Sequence, residues 1–170
     1  MKNKNFAVLI EGALMIAISL ILSFVKLFQA PYGGSVTLGS MVPIILFSLR
    51  HGTVAGLSAG VAYGFLQLIV EPYIVHPVQV ILDYPLAFGL LGFAGLFRNN
   101  VFLGSFLGIF GRFLSHFLSG VIFFASYAPK GMNVYLYSAL YNGSYLLPEF
   151  IITFVLIRFV LYNKVLKNIR

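Results

Sequence analysis

The chain has 170 residues, 60% hydrophobic and only 9% charged, whereas about a quarter of the residues of a soluble domain are charged. This composition predicts a multi-pass integral membrane protein in contact with membrane lipid, and the absence of cysteine excludes disulfides, iron–sulfur clusters and thiol catalysis. The net charge of +7 does not indicate a nucleic-acid partner, because the positive residues lie at the ends of apolar segments.

The apolar segments are continuous rather than alternating, which favours transmembrane helices over a β-barrel. They predict an all-α bundle of six transmembrane helices in a single transmembrane domain. The second helix is too short to span a bilayer upright, since a spanning helix needs about 20 residues. The predicted helices cover residues 6–27, 37–49, 53–70, 77–97, 101–124 and 134–162.

Six helices place both termini on one side of the membrane. The other side then holds only two positive residues, Lys26 and Lys130. Under the positive-inside rule this asymmetry predicts cytoplasmic termini. The positive residues of the terminal side are Lys2, Lys4, Arg50, Arg98, Lys164, Lys167 and Arg170.

Small residues occur at helix-packing and loop positions in the first half of the chain. Ala13 and Ala17 of the first helix form a small-xxx-small pair, which lets another helix approach closely, although ordinary packing inside the bundle also uses such pairs. In the loop at 28–36, Gly33 and Gly34 allow the backbone to lie close to a ligand. The third helix carries glycines four residues apart, a smooth face for close packing, at Gly52, Gly56, Gly60 and Gly64.

The fourth predicted helix contains a carboxylate, Asp83, inside an otherwise apolar segment. A carboxylate at membrane depth is costly and marks a candidate site. Gln79 lies four residues earlier on the same face, Tyr84 is adjacent, and Tyr73 lies in the loop before the helix. These residues would all lie in the outer half of the bundle.

Polar and aromatic side chains of the last two helices share the predicted depth of Asp83. Independent structural polar residues would not need to agree in depth, so this agreement predicts one outward-facing pocket beneath the glycine loop. Its carboxylate and aromatic faces suit a small, planar, nitrogen-rich and cationic solute. The residues concerned are His116, Gly120 and Phe124 of the fifth helix and Tyr137, Ser138 and Asn142 of the sixth.

Other interpretations of the same residues remain open. Asp83 and Arg112 could form a buried structural ion pair. His116 alone is typical of a core histidine, Asn142 alone of a contact between helices, and single tyrosines of interfacial anchors. No HExxH motif, close carboxylate pair or Walker A loop is present. We therefore expect no enzyme, metal site or cofactor, and ATP-driven transport would need an ATPase on another chain.

Several segments together resemble the thiamine-specific substrate-binding components (S components) of energy-coupling factor transporters. The resemblance covers nearly the whole chain in matching order. It implies a six-helix protein of the bacterial plasma membrane that captures thiamine from outside. The segments are PYGGSV, SLRHG, HPVQVILDYPLAFGLLGFAGLFR, HFLSG and YSALYNG.

The resemblance also implies partners and a binding site. The partners are a transmembrane coupling subunit, which docks on the small-residue motif matched by Ala13 and Ala17, and two cytoplasmic ATPases. Some relatives carry glutamate at the position of Asp83 and tryptophans at the positions of Gly34 and Phe124. The implied site residues are Tyr73, Asp83, Tyr84, His116, Gly120, Tyr137, Ser138 and Asn142.

Three alternative functions remain open beside the function that the resemblance implies. The same architecture could bind another vitamin or a thiamine precursor. Asp83 and His116 could serve as acid and base of an intramembrane enzyme, although a second acid or metal set is missing. The chain could also be a purely structural membrane subunit.

Overall fold

The structure is a computed structural model that describes residues 2–162, so Lys164, Lys167 and Arg170 of the predicted basic tail lie outside the described residues. Six helices run through the described part, and the predicted all-α membrane architecture is confirmed. By length and composition, five of them could cross a membrane, and α2 is the shorter exception. The helices are α1 Lys2–Ser23, α2 Val42–His51, α3 Thr53–Val70, α4 Pro77–Phe97, α5 Val101–Phe123 and α6 Val134–Tyr162.

The connection between α1 and α2 differs from the prediction. It contains a two-stranded antiparallel hairpin, β1 Lys26–Gln29 and β2 Ser35–Thr37, joined by a 3-10 turn at Pro31–Gly33. The first helix was predicted to continue to residue 27, which is wrong, because the backbone from Lys26 onward is paired in the hairpin instead. The predicted loop at 28–36 therefore contains the end of β1, the 3-10 turn and most of β2.

The start of α2 is also later than predicted. The prediction placed it at residue 37, but Thr37 belongs to β2 and the helix begins at Val42. Gly39 has a φ of +85°, a left-handed conformation that glycine adopts without steric cost and that interrupts a right-handed helix. Pro43 then lies in the first turn of α2, where its missing N–H is not needed.

The glycine face of α3 packs directly on the backbone of α4, as predicted. A Cβ atom on Gly60 would lie 2.2 Å from the carbonyl oxygen of Phe88, and one on Gly64 would lie 2.5 Å from that of Tyr84. On the α4 side, a Cβ on Gly92 would lie 2.2 Å from the Leu57 nitrogen. This close approach fixes α4, which carries Asp83, against the rest of the bundle.

Helix α4 is irregular at the level of Asp83. It begins as an α-helix at Pro77–Ile81, continues as a π-helical turn at Leu82–Leu86, and ends as a 3-10 helix at Leu90–Phe97 after one further α-turn. Pro85 lies inside the π-turn and cannot donate a backbone hydrogen bond. The Leu82 carbonyl accepts a hydrogen bond of 2.6 Å from Ser115 of α5, so the distortion is supported by a neighbouring helix.

Each end of the bundle has its own charged contacts. At one end Arg50 contacts Glu11 at 2.6 Å, and Arg98 donates to the carbonyl groups of Leu49 and Arg50. At the other end Lys26 of β1 contacts Glu71, just after α3, at 2.5 Å. The apolar core between these ends is centred on the start of α2, where Ile44, Ile45 and the preceding residue Met41 are fully buried.

Candidate ligand-binding site

A cavity of about 410 Å³ lies at the Lys26–Glu71 end of the bundle, between the hairpin and the helices α3 to α6. All eleven residues that the sequence predicted as ligand contacts line this one cavity. Contact with a ligand itself stays a prediction. These residues are Gly34, Tyr73, Gln79, Asp83, Tyr84, His116, Gly120, Phe124, Tyr137, Ser138 and Asn142.

Asp83 accepts three hydrogen bonds from side chains around it. Its Oδ2 atom accepts from Gln79 Nε2 at 2.7 Å and from Ser119 Oγ at 2.8 Å. Its Oδ1 atom lies 3.0 Å from Nδ1 of His116. A carboxylate offers about four acceptor positions, so among the described residues one position on Oδ1 remains for a ligand donor.

Arg112 does not form the direct ion pair with Asp83 that the sequence left open. His116 lies between them, and Arg112 Nε donates to His116 Nε2 at 3.2 Å. The guanidinium carbon lies 4.2 Å from the ring centre of Phe88, a cation–π geometry. The three polar residues therefore form a chain from guanidinium through imidazole to carboxylate.

Asn142 is held by its neighbours on α5 and α6. Its Nδ2 atom donates to the Ser138 carbonyl at 2.9 Å, and its Oδ1 atom accepts from the Tyr145 hydroxyl at 2.7 Å. Gly120 faces this pair across the helix contact, where an added Cβ would lie 2.2 Å from Ser138 Oγ. A larger residue at Gly120 would therefore force the Ser138 side chain to move.

Gln79 and Tyr84 support the loop that precedes α4. The Tyr84 hydroxyl accepts from the Tyr73 backbone nitrogen at 2.7 Å and donates to the Glu71 carbonyl at 2.8 Å. Gln79 accepts from the Val75 nitrogen and donates to the Tyr73 carbonyl, both at 3.0 Å. These bonds fix the backbone of Tyr73, whose side chain lines the cavity.

Aromatic rings form two walls of the cavity. On one side Phe124 packs between Tyr73 and Tyr127, with centroid distances of 5.9 and 5.7 Å, and the two tyrosine hydroxyls are 2.9 Å apart. On α6, Tyr141 lies 6.1 Å from Tyr137 and 5.8 Å from Tyr145. Such faces can enclose a flat ring.

The hairpin is fixed to α6 at two levels. Near its tip, the Tyr141 hydroxyl accepts from the Gly34 nitrogen at 3.1 Å and donates to the Pro31 carbonyl. At its base, buried Glu149 accepts from the backbone nitrogen and the hydroxyl of Thr37 at 2.5 and 2.6 Å. A Cβ on Gly34 would lie 2.5 Å from the Tyr145 ring, so the hairpin backbone lies directly on α6.

Several cavity residues were not predicted from the sequence as ligand contacts. Tyr141 and Tyr145 continue the stripe that begins at Tyr137 with a spacing of four residues, and this periodicity was a usable signal. Ser119 is not one of the cavity-lining residues, but it donates to Asp83, and its position three residues after His116 was a similar signal. Lys26 and Glu71 become neighbours only through the hairpin, which no local pattern in the sequence revealed.

Comparison with known proteins assigns the family. The sequence model described as "Thiamine transporter protein" matches residues 9–169 of this chain. The chain belongs to the thiamine transporter protein family. It is similar to thiamine transporter ThiT of Bacillus subtilis (38% identity; 89% of this chain, 88% of the relative) and of Lacticaseibacillus paracasei (31% identity; 92% of this chain, 87% of the relative).

A solved structure of ThiT from Listeria monocytogenes is also similar, with a TM-score of 0.85 and 27% identity over 94% of this chain and 96% of that chain. These matches confirm the resemblance to thiamine-specific transport proteins and the prediction of a multi-pass membrane protein. The relatives are named as transporters, so membership of the thiamine transporter family also confirms that the chain is not an enzyme. The energy-coupling partners stay a prediction.

Proposed function

We propose that this protein binds thiamine in the cavity and is the substrate-binding subunit of a thiamine uptake system. The observation that carries the proposal is Asp83, a carboxylate with one unused acceptor position, in a cavity with two aromatic walls. Membership of the thiamine transporter family supports the choice of ligand. Binding requires no metal or cofactor in this chain.

The chemistry of thiamine matches this cavity. Its thiazolium ring is flat and permanently positive, and its aminopyrimidine ring carries an amino group that donates hydrogen bonds. The open acceptor position of Asp83 suits that amino group, and the carboxylate charge also favours a cation nearby. The rings around Phe124 and along Tyr137–Tyr145 offer faces to both heterocycles.

Energy for uptake would come from other subunits. The sequence has no Walker A loop, so an ATPase would lie on another chain. The resemblance to S components implies a transmembrane coupling subunit and two cytoplasmic ATPases as the partners. Ala13 and Ala17 support this part of the proposal, because both are exposed on α1 and leave a shallow surface on which another helix can pack. The predicted orientation places the cavity mouth outside the cell.

Calorimetric titration of the purified protein tests the proposed ligand. Thiamine, its aminopyrimidine half, its thiazolium half and riboflavin are titrated in turn. We expect saturable one-to-one binding of thiamine, weaker binding of each half and none of riboflavin. Tighter binding of the pyrimidine half than of thiamine would make a precursor the substrate, and no binding of thiamine would overturn the proposal.

A further inference from the structure

We propose that Arg112 is a positioning residue for the ligand site, because it sets the protonation of His116 and thereby the role of Asp83. This inference deepens the proposed thiamine site and rests on it for the effect on binding. The effect on His116 is a property of the empty protein and can be measured without any ligand.

The hydrogen-bond chain fixes where the imidazole proton lies. An arginine Nε–H can only donate, so His116 Nε2, at 3.2 Å, must accept and carries no proton. The neutral ring then has its proton on Nδ1, which donates to Asp83 Oδ1 at 3.0 Å. A doubly protonated imidazole would place two donors against each other at Nε2.

The position of the His116 proton limits which ligand group can lie opposite Asp83. Both nitrogens of His116 are used within the protein, so His116 presents only its ring to the cavity. Asp83 receives a proton donor from each of three neighbours and stays an acceptor. The ligand group opposite Asp83 must therefore be an N–H or O–H donor, as in an aminopyrimidine, rather than a carbonyl.

The geometry around Arg112 suits this role. Its guanidinium is oriented by the Phe88 ring at 4.2 Å, on the helix already fixed by the α3 glycines. Arg112 and His116 lie four residues apart on α5, so their side chains share one face. Removal of Arg112 would leave His116 Nε2 without its donor, and a proton taken up there beside the Asp83 carboxylate would make the imidazole a cation at the ligand position.

Nitrogen NMR of the full chain with 15N-labelled histidine tests the inference. The three histidines are distinguished by comparison with His116→Gln, which lacks one set of signals. We expect wild-type His116 without ligand to show one protonated nitrogen, Nδ1, and one unprotonated nitrogen, Nε2. In Arg112→Met, which keeps an unbranched apolar chain, both nitrogens should be protonated at neutral pH, and Arg112→Lys should restore the wild-type pattern in part.

Thiamine titration of the same variants gives the second measurement. We expect Arg112→Met to weaken thiamine binding by about tenfold or more, which corresponds to about 1.4 kcal/mol, and Arg112→Lys to recover part of it. Arg158→Met, at an exposed arginine on α6, is the matched control and should change neither the signals nor the affinity.

The outcomes separate this inference from the proposed function. A protonated Nε2 in the wild-type protein would overturn the inference, and so would an unchanged His116 signal in a folded Arg112→Met variant. The expected His116 signals in a wild-type protein that does not bind thiamine would instead overturn the proposed ligand. If Arg112→Met does not fold, Arg112→Lys takes its place, and His116 signals and thiamine affinity equal to those of the wild type in that variant would overturn the inference.

Discussion

The polar residues of the cavity are of two kinds. The amides of Gln79 and Asn142 and both ring nitrogens of His116 are used in hydrogen bonds with other protein groups. Asp83 keeps an open acceptor position, and among the described hydrogen bonds Arg112 uses only its Nε atom. Ligand recognition by charge therefore depends on Asp83, and Arg112 and the other polar residues determine where its carboxylate lies.

Substitution of Asp83 should lower affinity more than stability. Asp83→Asn keeps the shape but removes the charge, and a charged hydrogen bond contributes about 1.5–3 kcal/mol. Thiamine affinity should therefore fall by about one to two orders of magnitude, whereas Asp83→Glu should be tolerated much better. Titration calorimetry measures affinity, and thermal unfolding in detergent measures stability.

Ser119→Ala is the matched control for this prediction. It removes one of the three hydrogen bonds to Asp83 but leaves the carboxylate in place. We expect a smaller loss of affinity than for Asp83→Asn. Wild-type thiamine affinity in a folded Asp83→Asn protein would contradict the proposed site.

Phe124 is expected to contribute a stacking surface. Phe124→Ala removes the ring that packs between Tyr73 and Tyr127 and should weaken thiamine binding, whereas Phe124→Trp should keep or improve it. Phe106→Ala, on the exposed face of α5, controls for the general loss of a phenylalanine. Equal affinities for all of these variants would place the ring contacts on the Tyr137–Tyr145 wall instead.

At the scale of the elements, the close contact between α3 and α4 determines the position of Asp83. Gly60→Ala would place a Cβ atom 2.2 Å from a backbone oxygen of α4, which no side-chain movement can relieve. We expect a loss of about 1–3 kcal/mol in the free energy of unfolding and weaker thiamine binding, measured by thermal unfolding and titration.

Gly143→Ala is the control for the glycine substitution. Gly143 lies in α6, and a Cβ atom there would have no neighbour within 4 Å. Alanine favours a helix over glycine by about 1 kcal/mol, so this variant should be as stable as the wild type or more stable. An unchanged unfolding temperature for Gly60→Ala would show that the two helices can separate at little cost.

Most long helices were predictable from the sequence, whereas the two short strands were not. The bounds of α3, α4 and α6 agree with the prediction because each is a long apolar segment between polar or proline-containing turns. The hairpin was missed because its strands have four and three residues, too few for an alternating pattern. Its position depends on contacts with α6 more than 100 residues away in sequence.

The candidate site was also predictable from the sequence only in part. Asp83 and His116 stand out in the sequence because ionisable residues are rare in apolar helices. The relation between Asp83 and Arg112 was not predictable, since spacing along the chain does not show that His116 lies between them. The π-turn that contains Asp83 and Pro85 also has no clear sequence signal beyond the proline.

At the scale of the whole molecule, the exposed face of α1 is expected to couple the protein to its partner. Replacement of Ala13 and Ala17 by leucine should block close helix packing there. Thiamine binding by the isolated protein should persist, whereas uptake by cells that express the complete system should fail. Ala62→Leu, at an exposed alanine on α3, is the control and should leave both intact. Equal loss of binding and uptake would indicate a folding role for the two alanines.

The orientation in the membrane can be tested with single cysteines, since the chain has none of its own. Ser126→Cys lies in the connection between α5 and α6, and Asn99→Cys lies between α4 and α5 at the opposite end. A membrane-impermeant maleimide should label Ser126→Cys in intact cells and Asn99→Cys only after permeabilisation. The reverse pattern would contradict cytoplasmic termini and an outward-facing cavity.

The aromatic walls have an optical consequence. The chain contains no tryptophan, so its ultraviolet emission comes from its ten tyrosines. Six of these tyrosines line the cavity, and an electron-poor ring placed against them would quench part of that emission. Ligand binding should therefore lower the tyrosine fluorescence of the unlabelled protein, and the rate of that decrease would give the rate of ligand binding.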